Sequence, residues 1–109
     1  MAAATSVTYQ RGAKMFQGAF SEMWLVKATL DAGSIADGAG ETETIAVPGV
    51  ALGDMVLAIS LGLDLVDMTV TGYVQAADAV EVRIQNESGA GPVDLASTTI
   101  KLIVVRPAW

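Results

Sequence analysis

The chain contains no cysteine and no histidine among its 109 residues. Without cysteine it can form neither a disulfide framework nor a thiolate metal site. Without histidine, a serine–histidine–acid triad is excluded, and the side chain that most often transfers protons in enzymes is missing. These two absences favour a structural or binding protein over an enzyme. We therefore predict no catalytic residue, no cofactor and no small-molecule substrate.

Basic residues are also few, since six lysines and arginines stand against twelve aspartates and glutamates, giving a net charge of −6. An acidic chain repels phosphate backbones, so we do not expect nucleic-acid binding. The longest apolar stretch, 47–63, is broken by Pro48, Gly49, Gly53 and Asp54. It is too short to span a membrane, and we predict no membrane insertion.

Phosphate and metal sites find little support in the sequence. The glycine-rich segments Gly38-Ala39-Gly40 and Gly89-Ala90-Gly91 are followed by acidic residues and by a proline, respectively. A phosphate-binding loop needs a helix N-terminus behind it, which neither segment offers. The acidic residues of the loops are more simply explained as solvated side chains than as calcium ligands or paired catalytic carboxylates.

Apolar residues, by contrast, are abundant. They make up 52% of the chain, and the mean hydropathy is +0.49. A chain of this length forms one domain and cannot hide so much apolar surface by itself. The surplus predicts burial against other copies or against a partner protein.

Apolar and polar residues alternate with a period of two, from Val66 through Val74 and again from Val80 to Ile84. This period is typical of β-strands with one buried face. Together with turn signals such as Pro48-Gly49, it predicts an all-β fold, a single small β-sandwich or barrel of about six to eight strands. Six strands can be placed directly: 23–30, 42–47, 55–60, 66–75, 79–86 and 98–106.

The aromatic residues divide the chain into an N-terminal arm, 1–22, and a β-sandwich body, 23–109. Four of the six aromatics lie in the first 24 residues and another is the last residue. The first 21 residues carry two basic residues and no acid, whereas the remainder is strongly acidic. We predict that the arm is an attachment element that the body does not need for folding, and that it is either extended or contains a short helix. The predicted contact residues are Tyr9, Arg11, Lys14, Phe16, Phe20 and Trp24 in and beside the arm, and Trp109 at the C-terminus.

An alternative stays open for these aromatics, because both chain ends could fold back and complete the core of the domain itself. Aromatic side chains dominate interfaces, but they are equally suited to a core.

The turn signals also carry a resemblance to a known family. Residues 41–62 read ETETIAVPGVALGDMVLAISLG, and 70–105 read VTGYVQAADAVEVRIQNESGAGPVDLASTTIKLIVV. The elements Val47-Pro48-Gly49, Gly53-Asp54, Ala76-Ala77-Asp78 and Asn86 resemble those of small structural proteins of tailed bacteriophages.

The resemblance implies a virion protein of the capsid decoration (cement) type. Such a protein would stabilise the capsid by bridging neighbouring capsid subunits, with the major capsid protein as its partner. It would form a homo-oligomer, most simply a trimer, and lie on the outer capsid surface after synthesis in the host cytoplasm. The alternatives are a phage head or tail fibre module and a small carbohydrate-binding β-sandwich.

Overall fold

The computed structural model describes residues 2–11 and 15–109. Their secondary structure is almost entirely strand, with one short 3-10 helix between the first two strands. The elements in chain order are β1 (Ala2–Arg11), the 3-10 helix (Met15–Gly18), β2 (Phe20–Leu30), β3 (Gly33–Ile35), β4 (Gly40–Ala46), β5 (Met55–Leu61), β6 (Thr69–Ala76), β7 (Ala79–Gln85), β8 (Val93–Leu95) and β9 (Thr98–Pro107).

Seven strands form one continuous sheet in the order β5-β9-β2-β1-β4-β7-β6, and β3 pairs with β8 separately. All neighbours are antiparallel except β1 and β4, which are parallel where Ala2 lies beside Ile45. The sheet folds back on itself, so that its two end strands, β5 and β6, approach each other. Their closeness is evident at Gly72 of β6, where an added Cβ atom would lie 2.8 Å from Ile59 Cδ1 of β5. The prediction of a small all-β sandwich is confirmed, with nine strands in the described residues where six to eight were expected.

The core lies between the two halves of the folded sheet. Alternate residues of each long strand point into it, and aliphatic side chains fill most of the space. Its buried members include Val26, Ile45, Val80, Val82, Ile84, Ile100, Leu102 and Val104. Burial of this apolar surface is the main force that stabilises the fold.

The strand predicted over 66–75 begins later than expected, at Thr69. Val66 and Asp67 have positive φ angles of 52° and 64°, a conformation that belongs to turns. The Val66 amide donates to Asp64 Oδ1 at 2.9 Å, an Asx turn that holds the chain out of the sheet. Val66 is consequently exposed, although it shares the period of Met68 and Val70.

The predicted arm is not separate from the body in the structure. β1 lies inside the sheet between β2 and β4, and it pairs with β2 from Ala4–Ala28 to Arg11–Glu22. The predicted boundary at 22/23 falls within β2. The reason is physical: β1 is held by backbone pairing, so it needs few large apolar residues and its sequence gives no strong strand signal.

Candidate functional site

Three aromatic side chains, two from near the start of the sequence and one from its last position, meet at one end of the molecule. We call this end the aromatic tip and define it by Phe16, Phe20 and Trp109. The rings of Phe16 and Phe20 are 5.3 Å apart in an edge-to-face arrangement, and those of Phe20 and Trp109 are 6.3 Å apart. Phe20 is buried, but Phe16 is 62% and Trp109 82% exposed. The tip therefore presents two large apolar side chains to solvent around a buried third.

Backbone hydrogen bonds bring these residues together. β2 and β9 pair as far as Phe20 opposite Pro107, and the Ala108 amide then donates to the Ala19 carbonyl at 2.9 Å. This bond ties the C-terminus to the segment that follows the 3-10 helix. The tip is thus an extension of two paired strands, which gives its aromatic side chains a fixed backbone platform.

The turn at Phe16 adopts an unusual backbone conformation. Its φ is +47°, a region that bulky residues rarely enter, and the Ala19 amide closes the turn by donating to the Phe16 carbonyl at 3.2 Å. Residues in such strained conformations occur preferentially at functional sites. The strained conformation places the Phe16 ring in edge-to-face contact with Phe20 while most of the ring stays exposed.

A small apolar cluster supports the tip from below. Phe20, Met23 and Val105 are buried together, with Ala19 and Ile103 packed against them. This cluster is distinct from the main core, which contains Trp24 and the aliphatic residues of the sandwich. Phe20 therefore belongs both to the small cluster and to the aromatic tip, because it packs with the buried cluster residues and its ring contacts the exposed rings of Phe16 and Trp109.

Arg106 joins the base of the tip to the β4–β5 connection. Its guanidinium binds Asp54 with two bonds, Nε to Oδ1 at 2.8 Å and Nη2 to Oδ2 at 2.9 Å. It also donates to the Gly49 carbonyl at 3.1 Å and to the Glu22 carboxylate. The bonds to Asp54, followed by the nearby charges of Asp54 and Glu22, raise the pKa of Arg106 above its ordinary value, although burial opposes this rise. The charged guanidinium fixes the turn, β2 and β9 to one another.

Trp24 has a different position from the one predicted. It is 1% exposed and belongs to the main core, where Tyr9 packs 5.5 Å from its ring and Arg106 lies 5.2 Å above it. Its burial follows from the strand period, because Trp24 shares a face of β2 with Val26, Ala28 and Leu30. The prediction that Trp24 makes contacts with a partner is therefore corrected: it is a core residue of this domain.

The other predicted contact residues divide between the tip and its flank. Tyr9 is half exposed and its hydroxyl donates to the Glu22 carboxylate, a hydrogen bond that raises the pKa of Tyr9. Arg11 ends β1 opposite Glu22 and is exposed. Lys14 lies outside the described residues.

Sequence reasoning did not identify the Arg106–Asp54 pair. One signal was present in the sequence, since Arg106 directly follows the apolar run Ile103-Val104-Val105, where a charge needs a partner. Which of the twelve acidic residues would supply that partner depended on the path of the β4–β5 connection. Spacing along the chain could not reveal it.

The described residues form neither a metal-binding cluster nor a membrane-spanning helix. Among residues 2–11 and 15–109, no three acidic side chains lie close enough together to hold a metal ion. No helix in this part of the chain has the length and the apolar character needed to cross a membrane.

Comparison with known proteins finds no matching family model, no similar curated protein and no similar solved structure.

Proposed function

We propose that this chain is a structural protein of a bacteriophage virion, which decorates the capsid and stabilises it by bridging neighbouring capsid subunits. The observation that carries the proposal is the aromatic tip, where the exposed rings of Phe16 and Trp109 stand on a buried support. The turn sequences around Pro48, Asp54 and Asp78 resemble those of phage structural proteins, and this resemblance indicates the major capsid protein as the partner. The role is mechanical and needs no catalytic group.

The energetics favour the tip as a contact surface. Moving one large apolar side chain from water into an interface stabilises the complex by about 1.5–3 kcal/mol before entropic costs. Exposed aromatic residues next to a rigid support are typical interface anchors, because little conformational entropy is lost when they bind. The tip has this arrangement, since backbone pairing and the Phe20 cluster already fix its position.

The size of the tip also indicates how the protein would act. A stable interface between two proteins buries roughly 800 Å² on each partner, whereas two aromatic side chains supply about 300–500 Å². One tip is thus too small for a strong contact by itself. A trimer that presents three tips, or many copies on one shell, would reach high avidity from weak single contacts.

The structure changes the expected mechanism of attachment. β1 lies within the sheet, so residues 2–11 are already paired inside one molecule and are not a free arm. In this proposal the two exposed rings of the tip make the contact. Phe16 precedes β2, and Trp109 follows β9. Trp24 has no part in this contact, because it is buried.

Co-sedimentation with capsids tests the proposal. The wild-type chain should sediment with tailed-phage capsids that lack a decoration protein, and the double variant Phe16→Ser/Trp109→Ser should lose at least tenfold in affinity. Tyr73→Ser is the matched control, since Tyr73 is an exposed aromatic on β6, away from the tip. Light scattering of the same samples would report whether the free chain is a trimer.

The result contradicts the proposal if the wild-type chain fails to bind, or if the tip variant binds as well as the Tyr73 control. Thermal unfolding of each variant shows whether a loss of binding comes from the contact or from the fold. We expect unchanged midpoints, because both replaced side chains are largely exposed.

A further inference from the structure

The outer face of the half-sheet β5-β9-β2-β1 carries an open groove of about 500 Å³ that crosses all four strands. Its floor is apolar and includes Leu25, Ala58 and Ile103. Leu25 is 37% exposed, although it lies on an interior strand of the sheet. This groove is on the face opposite the main core and does not include the aromatic tip.

Two lysines lie side by side in the groove. Lys27 of β2 pairs directly with Lys101 of β9, and both line the groove. Side chains directly opposite each other in an antiparallel pair have Cβ atoms about 4.5–5.5 Å apart, and like charges at this distance destabilise the sheet. The ion pairs of the described residues both involve Arg106, and neither lysine takes part in one.

Protection of a sheet edge does not explain these lysines. Exposed lysines often prevent edge strands from pairing with other chains. β2 and β9 are interior strands with neighbours on both sides, so they have no free edge to protect. A bound anion between the two ammonium groups would remove their repulsion.

We propose that the groove binds an anionic amphiphile, a carboxylate or phosphate attached to an apolar chain. The two lysines bind the anionic group, the floor formed by Leu25, Ala58 and Ile103 accepts the apolar part, and the hydroxyls of Thr8 and Ser60 supply further hydrogen bonds. The volume lies within the roughly 300–1,000 Å³ of ordinary ligand sites. A neutral sugar fits less well, because sugars stack on aromatic rings and none of the described residues that line the groove is aromatic.

The charge of the whole chain makes this site selective. With a net charge of −6, the surface repels anions in general. Lys27 and Lys101 place two exposed cations side by side in the groove, so an anionic group is attracted there. The inference is independent of the proposed capsid role, because the groove contains none of the three tip residues; Ile103 of its floor also packs against the cluster beneath the tip.

Titration with octanoate, followed by amide NMR signals of the full chain, tests the inference. We expect saturable shifts at Leu25, Lys27 and Lys101, and much weaker ones with octyl glucoside or octylamine, which carry a neutral and a cationic head. Lys27→Gln/Lys101→Gln should weaken octanoate binding at least tenfold, whereas Lys27→Arg/Lys101→Arg should retain it. Arg83→Gln is the matched control, since Arg83 is an exposed cation on β7, outside the groove.

The source of the ligand is distinguished with phosphatidylglycerol vesicles. Flotation of the wild-type chain with these vesicles, lost in the Gln double variant, would assign a lipid headgroup, and octanoate binding without flotation would assign a soluble ligand. The inference is overturned if octanoate causes no saturable shift, if the three head groups bind equally, or if the Gln double variant binds octanoate as the Arg double variant does.

Discussion

The two tryptophans of this chain occupy opposite environments. Trp24 is enclosed by the main core, with Tyr9 beside it and Arg106 above it, whereas Trp109 is the most exposed large apolar side chain described. Both residues lie near the same end of the β2–β9 pair. The difference comes from their place on the strands: Trp24 shares the inward face of β2 with Val26, whereas Trp109 follows β9 after its pairing has ended.

The same difference separates the sandwich core from the aromatic tip. The core is closed and almost entirely aliphatic, so its residues act on the free energy of unfolding. The tip keeps two rings in water, so those rings contribute little to stability and remain available for binding. Residues with similar chemistry should therefore have separable effects on stability and on binding.

The strongest test of this separation is removal of residues 1–22. The deletion takes away β1, an interior strand that pairs with β2 and β4, together with Phe20 and the start of β2. We expect the truncated chain to lose cooperative unfolding, because the two halves of the sheet would no longer be connected by backbone hydrogen bonds. Circular dichroism during thermal unfolding measures this directly.

The full-length Phe16→Ser/Trp109→Ser variant is the control for this deletion, since it alters the tip and leaves β1 in place. It should unfold cooperatively at a midpoint close to that of the wild type. A cooperative transition in the truncated chain would show instead that residues 1–22 are an accessory arm, as the sequence alone predicts.

The next largest effect is expected from Trp24→Ala. Truncation of a buried tryptophan costs about 3–5 kcal/mol, from lost burial and from the cavity left behind. Trp109→Ala should change the free energy of unfolding by only about 0.5 kcal/mol or less, as is usual for surface substitutions. Urea denaturation of both variants measures the difference, and similar losses for the two tryptophans would contradict the division between core and tip.

Much of the fold could be predicted from the sequence, because a strand with one buried and one exposed face shows alternating apolar and polar residues whichever strands it pairs with. The segments around Val80–Ile84 and Ile100–Val104 are examples, since each carries large apolar residues on one face and is buried there. The same reasoning was wrong at Val66, which continues the apolar period of the strand but lies in an Asx turn whose acceptor is the Asp64 carboxylate.

The position of β1 and the composition of the site could not be predicted in this way. β1 is rich in small and polar residues, and its place between β2 and β4 is decided by pairing partners that lie far away in sequence. The meeting of Phe16, Phe20 and Trp109 also depends on the register of β2 with β9. The prediction that aromatics at both ends act as contact residues stays a prediction for Phe16 and Trp109, whose rings are exposed, and it also included Phe20 and Trp24, which are buried.

The smallest expected effect concerns Tyr9, which packs beside the core residue Trp24. Its hydroxyl donates to the Glu22 carboxylate, and this bond, with smaller contributions from burial and from the charge of Glu22, raises the pKa of Tyr9 above 10.0. Since the raised pKa belongs to the folded state, the native protein holds this proton more tightly than the unfolded chain does. The bond therefore stabilises the fold below about pH 10, and this contribution is lost as the pH rises through the folded pKa.

Comparison of the wild type with Tyr9→Phe isolates this contribution. The variant lacks the hydroxyl but keeps the ring that packs against Trp24, so contributions that the two proteins share cancel in the difference. We expect the wild type to have the higher thermal midpoint at about pH 8, and the gap to narrow as the pH rises above about 10. A gap that stays constant over this range would mean that the Tyr9–Glu22 bond contributes nothing in solution. The ring would then stabilise the fold only through its packing against Trp24.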